Sequence, residues 1–148
     1  MPARDPRRPS GAPPAKPAAP ADSANLADLA DDGADEPAAF SHLVADFVGV
    51  PPAQLRDTSA LSGLMIAAAG AAGFSPIGAP MVRMLPDGAV AGLFLVDGCH
   101  MSLHAFPDRE LLLLDVLSLA NHDGRKALDV FARRITAREI RTEQRARG

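Results

Sequence analysis

The stretch Val90-Ala91-Gly92-Leu93-Phe94-Leu95-Val96-Asp97-Gly98-Cys99-His100-Met101-Ser102-Leu103-His104-Ala105-Phe106-Pro107 decides how this chain folds. Two runs of strand length flank the turn-forming pair Asp97-Gly98, and Pro107 ends the second. Turn signals this close together imply antiparallel neighbours. Side chains alternate along a strand, so Cys99, Met101, Leu103 and Ala105 share one side while His100, Ser102, His104 and Phe106 share the other. A bulge at Gly98-Cys99 would relax that rule, so Cys99 and His104 need not be opposed if the chain bends between them. The stretch holds the only cysteine and two of the four histidines, and any chemistry is expected here.

Outward from it, residues 76–85 read as a strand at a sheet edge, because Pro76 and Pro80 cannot donate ladder bonds, and Pro86-Asp87-Gly88 turns the chain into residues 89–96. Downstream, Pro107-Asp108-Arg109 breaks the chain before the apolar run 111–119, which its flanking breakers leave short enough for a strand. Asp123 is placed to cap a helix over 124–135 with Ala127, Leu128, Phe131 and Ile135 on one face. Residues 138–145 add a last edge strand. Upstream, His42, Val44, Asp46 and Val48 alternate with Leu43, Ala45 and Phe47, giving a half-buried strand that Gly49-Val50-Pro51-Pro52 ends. From Ala53 onward, Leu55, Leu61, Leu64, Met65, Ala68 and Ala72 recur at helical steps up to a cap at Gly73, with Gly63 and Gly70 suggesting close packing on a sheet. The expected fold is α+β: a two-layer sandwich of one antiparallel sheet with two helices on one face.

Residues 1–37 are rich in Pro and Ala and end in an acidic cluster, which predicts a disordered tail ahead of one domain over 38–148. Forty-seven per cent of residues are apolar, enough for a core, but with Trp and Tyr absent Leu, Val and Ala must fill it. The net charge of −3 hides a polarity: acids gather over 22–36, and Arg133, Arg134, Arg138, Arg141, Arg145 and Arg147 crowd the other end. No aromatic residue is interleaved with these arginines and Glu139 and Glu143 interrupt them, so a solvated surface is expected rather than a nucleic-acid site. A single cysteine excludes an internal disulfide framework and fits a reducing cytoplasm. Arg4, Arg7 and Arg8 are followed by no apolar segment, and no run approaches a membrane span. A cytoplasmic protein without nucleic-acid or membrane partners is expected.

On residue types alone, three readings of the central stretch stand. Cys99, His100 and His104 offer metal-ligand types, but strand geometry spreads them over two faces and nothing completes the set, so no metal is expected. A thiol nucleophile activated by histidine is the second. A small buried thiol beside two strand histidines is the third.

The wider pattern favours chemistry. His42-Leu43-Val44-Ala45-Asp46-Phe47, then Pro86-Asp87-Gly88-Ala89-Val90-Ala91-Gly92, then Cys99-His100-Met101-Ser102-Leu103-His104-Ala105-Phe106-Pro107-Asp108 resembles the bacterial S-adenosylmethionine decarboxylase proenzymes. In that family a His-Leu strand precedes a Pro-x-Gly-Val-Ser-Gly turn and a Glu-Ser-His-x-(Ser/Thr)-x-His-(Ser/Thr)-Trp-Pro-Glu segment. Leu114-Asp115-Val116 and Arg125-Lys126-Ala127-Leu128 fall where the family's Asp-strand and Lys/Ala-rich helix stand, so the resemblance spans 40–148. It implies self-cleavage: the Ser of Glu-Ser attacks the preceding carbonyl, and elimination leaves a pyruvoyl group whose carbonyl is the electron sink for decarboxylation in spermidine synthesis. It further implies a small-molecule substrate, S-adenosylmethionine or another amino acid, and a homodimer of paired sheets.

Residue by residue, the cleavage Ser is Cys99 and the preceding Glu is Gly98. A thiol can make the same attack, giving a thioester at Gly98, and loss of sulfide still yields a pyruvoyl end derived from Cys99. His104 stands at the family's processing histidine and is expected to assist proton transfer there. The turn Ser is Ala91, the family's catalytic Cys aligns with Leu119 beside Ser118, and the Trp is Phe106. Two readings follow. Cys99 and His104 favour a decarboxylase cleaved at Gly98-Cys99; Ala91 and Leu119 favour a non-catalytic relative acting as a binding or partner subunit.

Overall fold

The run from Leu111 to Leu119 is a strand, as its flanking breakers require: Leu112, Leu114, Val116 and Ser118 are buried on one side, and the side chains between them are half-exposed on the other. In the computed structural model, which describes residues 38–148, it lies inside a six-stranded sheet. The elements are β1 (Phe40–Val48), α1 (Pro52–Arg56), α2 (Thr58–Ala72), β2 (Met81–Met84), β3 (Val90–Val96), β4 (Cys99–Phe106), β5 (Leu111–Leu119), α3 (Gly124–Arg134) and β6 (Glu139–Arg147). The strand order is β2-β3-β4-β5-β1-β6, every pair antiparallel. The disordered tail expected over 1–37 lies outside the described residues.

The helices cover one face. Leu43, Ala45 and Phe47 of β1, Phe94 of β3, Met101 and Leu103 of β4, and Leu114 and Val116 of β5 pack with Leu61 and Met65 of α2 and Ala127 and Phe131 of α3. The Phe47 and Phe131 rings lie 6.4 Å apart and tilted by 51°, a favoured aromatic geometry. Gly92 lets α2 close on the sheet: a Cβ there would stand 2.9 Å from Leu103 Cγ and 3.2 Å from Met65 Sδ. The close approach expected at Gly63 and Gly70 is not found, since a Cβ at either meets nothing within 4 Å.

The α+β sandwich is as expected, with local differences. Among the described residues there are three α-helices, because the helix expected from Ala53 to Ala72 breaks at Asp57. Its carboxylate accepts from Ala60 N–H at 2.9 Å, so Asp57 starts a new helix instead of continuing the old one. Gly73 closes α2 in the left-handed conformation, as its position predicts. The edge strand expected over 76–85 keeps only Met81–Met84 and an isolated bridge from Pro76 to Val96, because two prolines and Gly78 at φ +83° interrupt the ladder. At the other edge, β6 is solvent-exposed along its length and alternates charge, which discourages further strand addition.

Among the described residues no helix covers the second face of the sheet. Met81, Leu93 and Leu95 are 55%, 38% and 51% exposed there, beside half-exposed Leu113 and Leu117. Exposed apolar side chains on the second face as well are the pattern of strands meant to be covered twice. No described helix is long and apolar enough to cross a membrane.

Candidate active site

The β3–β4 hairpin turns on two residues, with Val96 paired to Cys99. Gly98 has φ +76°, a conformation open to glycine at no steric cost. Asp97 N–H donates to Ser75 O at 2.7 Å, which ties the turn to the segment after α2. A Cβ on Gly98 would stand 3.2 Å from Leu119 Cδ1, so the turn rests against the end of β5. Gly98, Cys99 and Leu119, which the resemblance aligns with the family's cleavage and catalytic positions, therefore lie at one corner.

Cys99 and His104 do not meet. The β4 register runs without a bulge from Val96↔Cys99 to Val90↔Ala105 and from His100↔Leu117 to Phe106↔Leu111, so strand alternation holds throughout. Cys99 points to the helix side, where it packs against the core, and His104 is exposed on the open side. They are five positions apart along the strand, about 17 Å. The bend that would have relaxed this opposition is absent because the two-residue turn at Gly98 already completes the reversal. Burial, and then the Asp97 carboxylate, push the Cys99 thiol above its ordinary pKa; the thiol is held protonated and needs a base to react.

The open face holds a polar group that the sequence did not single out. His42 Nε2 lies 3.0 Å from both Asp115 oxygens, His100 Nε2 is 4.0 Å from Oδ1, and Arg147 Nη1 is 3.4 Å from His42 Nδ1. Arginine donates only, so this arrangement places the His42 proton on Nε2, directed at the carboxylate. The signal was faint because His42 and Asp115 stand 73 residues apart and meet through β1–β5 pairing alone. Among the described residues no group of three His, Cys, Asp or Glu side chains is placed to hold a metal ion. Further along the same face a shallow cavity of about 410 Å³ is lined by Met81, Arg83, Leu93, Ser102 and His104, with Ala91 at its floor.

A six-stranded antiparallel sheet with helices on one face defines a two-layer fold shared with a solved decarboxylase. The crystal structure of the adenosylmethionine decarboxylase from Aquifex aeolicus VF5 superposes with a TM-score of 0.69 at 21% identity, covering 76% of this chain and 93% of that one. No curated protein sequence matches. The S-adenosylmethionine decarboxylase family model matches residues 41–148, and the chain belongs to that family of carboxy-lyases.

Proposed function

We propose that this chain is a pyruvoyl-dependent S-adenosylmethionine decarboxylase of spermidine synthesis that makes its own prosthetic group by cleaving between Gly98 and Cys99. The observation that carries this reading is the placement of the sole cysteine at the first residue of β4, directly after a left-handed glycine and in frame with the family's cleavage segment. The corner fits such a group. A cut at the hairpin tip leaves β3 held by β2 and β4, and β4 by β5, while Met101, Leu103 and Ala105 remain buried in the core. The two fragments stay assembled.

Formation of the group balances without an external oxidant. After the thiol has displaced the Cys99 nitrogen from the Gly98 carbonyl, loss of the Cys99 Cα proton breaks the Cβ–S bond and the sulfur leaves with Gly98 as a thiocarboxylate. Water then releases ammonia at the new end of β4, and converts the thiocarboxylate to carboxylate with loss of sulfide. Once formed, the pyruvoyl carbonyl supplies the electron sink for loss of carbon dioxide.

The chain's own residues do the rest. Cleavage frees the first residue of β4 from the turn at the end of the open face. Along that face the cavity at β2–β4 offers Met81 and Leu93 to the apolar body of the substrate and Ser102 and His104 as hydrogen-bond partners, and His104 acts there on the substrate rather than on the Cys99 sulfur. With Ala91 altering this lining and Leu119 the corner at Gly98, another amino acid is the competing substrate. A second copy, stacking its own open face on this one, covers the exposed Leu93 and Leu95 and encloses the cavity, giving a homodimer. The site of action is the cytoplasm, where the single thiol stays reduced.

The test is release of carboxyl label from S-adenosylmethionine by protein verified as cleaved. Stoichiometric excess of labelled carbon dioxide over protein is expected. Cleaved protein that releases none from S-adenosylmethionine or from a panel of amino acids refutes the decarboxylase assignment and leaves the non-catalytic relative.

A further inference from the structure

We propose that Cys99, Ser118 and His122 form one proton-transfer unit on the helix-facing side of the sheet, in which His122 takes the thiol proton when Cys99 attacks the Gly98 carbonyl. The attack rests on the processing reading above; the thiol–imidazole coupling itself does not.

Three segments converge on this corner. Continuing the β4–β5 register from His100↔Leu117 sets Cys99 opposite Ser118, on the face where Met101 and Val116 are buried. Ser118 is 1% exposed, and a Cβ on Gly124, the first residue of α3, would stand 3.8 Å from its Oγ. Two residues before Gly124, His122 N–H donates to Leu119 O at 3.0 Å, folding the chain back over the end of β5. The His122 ring packs on Phe74 with centroids 5.4 Å apart, and the next residue, Ser75, receives the Asp97 N–H of the hairpin turn. His122 is thereby held from the α3 side and the turn from the α2 side, with Phe74 and Ser75 joining them.

Among the described residues neither Ser118 Oγ nor His122 Nδ1, both buried atoms, has a hydrogen-bond partner. An unpaired buried polar group is costly, and these two, at the end of β5 across from the strand that begins with the thiol, are unbonded to the Cys99 sulfur at rest and free to engage a reacting group. The neighbouring serine on β1 is different: Ser41, opposite Ser118, is engaged by Gln144 Nε2 at 2.8 Å.

The charged groups around the pair leave His122 as the available base. Asp97 of the turn, with burial, raises the thiol pKa. The Asp123 carboxylate accepts from Arg125 N–H at 3.0 Å, and Arg125 Nε donates to Gln144 Oε1 at 2.9 Å. The segment from Ala71 to Ser75 carries no ionisable side chain, and His100 and His104 point to the opposite face.

The step is an acyl shift. The Cys99 S–H proton passes to His122 Nδ1, the sulfur bonds to the Gly98 carbonyl carbon, the Gly98 C–N bond breaks, and His122 returns the proton to the departing Cys99 nitrogen. Ser118 supplies a free hydroxyl donor for the sulfur as it becomes negative. His122 thus does for the thiol what His104, on the far side of the sheet, cannot.

The test is the rate of Cys99 alkylation by iodoacetamide across pH, read by mass on freshly made chain that has not yet cleaved, for the native sequence, His122→Gln and Ser118→Ala. Coupled groups share their titration, so the rate in the native chain rises in two steps, a lower one that belongs to the coupled pair and an upper one as the thiol itself ionises. His122→Gln loses the lower rise and keeps the upper one, and its cleavage at Gly98-Cys99 slows by about 10²-fold. Ser118→Ala keeps both rises at a lower plateau. The imidazole resonances of His122 provide a second reading: their titration midpoint moves in Cys99→Ala. Superimposable alkylation profiles for native and His122→Gln protein, or a His122 titration indifferent to Cys99→Ala, overturn the proposal. A chain that never cleaves but shows the coupled profile overturns the processing reading and keeps the pair.

Discussion

Gly98→Ala measures how much the cleavage corner depends on its turn. At φ +76° an alanine costs about 1–2 kcal/mol relative to glycine, because its Cβ crowds the following carbonyl in the left-handed region. The same Cβ stands 3.2 Å from Leu119 Cδ1 and Cγ. Leu119 is half-exposed, so its branched end can yield, and the backbone term dominates. For a domain of this size, a change of 1–2 kcal/mol lowers the melting temperature by roughly 4–8 °C per kcal/mol and leaves the denaturant slope unchanged. The assay is urea and thermal unfolding in a Cys99→Ala background, which keeps the chain whole, with Leu119→Ala added in a double-mutant cycle. A coupling below about 0.5 kcal/mol is expected, since the strain is in the backbone. Gly98→Ala as stable as its parent, or fully rescued by Leu119→Ala, refutes the argument.

Phe131→Ala removes a fully buried ring that packs on Phe47, and should cost about 3–5 kcal/mol in urea unfolding. Because the folded state raises the Cys99 pKa above its ordinary value of 9.0, the unfolded chain loses that proton first as pH rises. The thiol's contribution to stability is therefore whole below pH 9.0 and declines above it, and Cys99→Ala should remove this alkaline decline when its unfolding is compared across pH with that of the chain before cleavage. Cys99→Ala should also abolish cleavage without unfolding the domain, checked by mass and circular dichroism. His104→Ala should leave cleavage at its native rate and lower turnover of the cleaved protein, since His104 lies on the open face; a matching loss of cleavage would place it back at the sulfur.

Much of the sheet was legible because its turns are written in residues with one structural use. Asp97-Gly98 and Pro107 bound β4, and Asp123 caps α3 with its side chain on Arg125 N–H. Asp57 misled because an aspartate inside a helical pattern can either continue a helix or begin one, and only its contact with Ala60 N–H decides. β2 was overextended because apolar residues between prolines look like strand until the missing donors are counted against a partner. Cys99 and His104 were visible through a motif, but their separation onto two faces depends on an unbroken register, which Gly98 alone did not dictate. Ser118, His122 and the His42–Asp115 pair were hidden for a different reason: each gains its meaning from strand pairing or packing between distant segments.

The central claim is that the chain cuts itself between Gly98 and Cys99, and the intact mass of the purified protein under denaturing conditions tests it most directly. The account predicts two fragments, one ending at Gly98 and one beginning at residue 99 with its cysteine converted to a pyruvoyl end that has lost both its sulfur and its amine. A single chain of full mass, unchanged after long incubation, would contradict it.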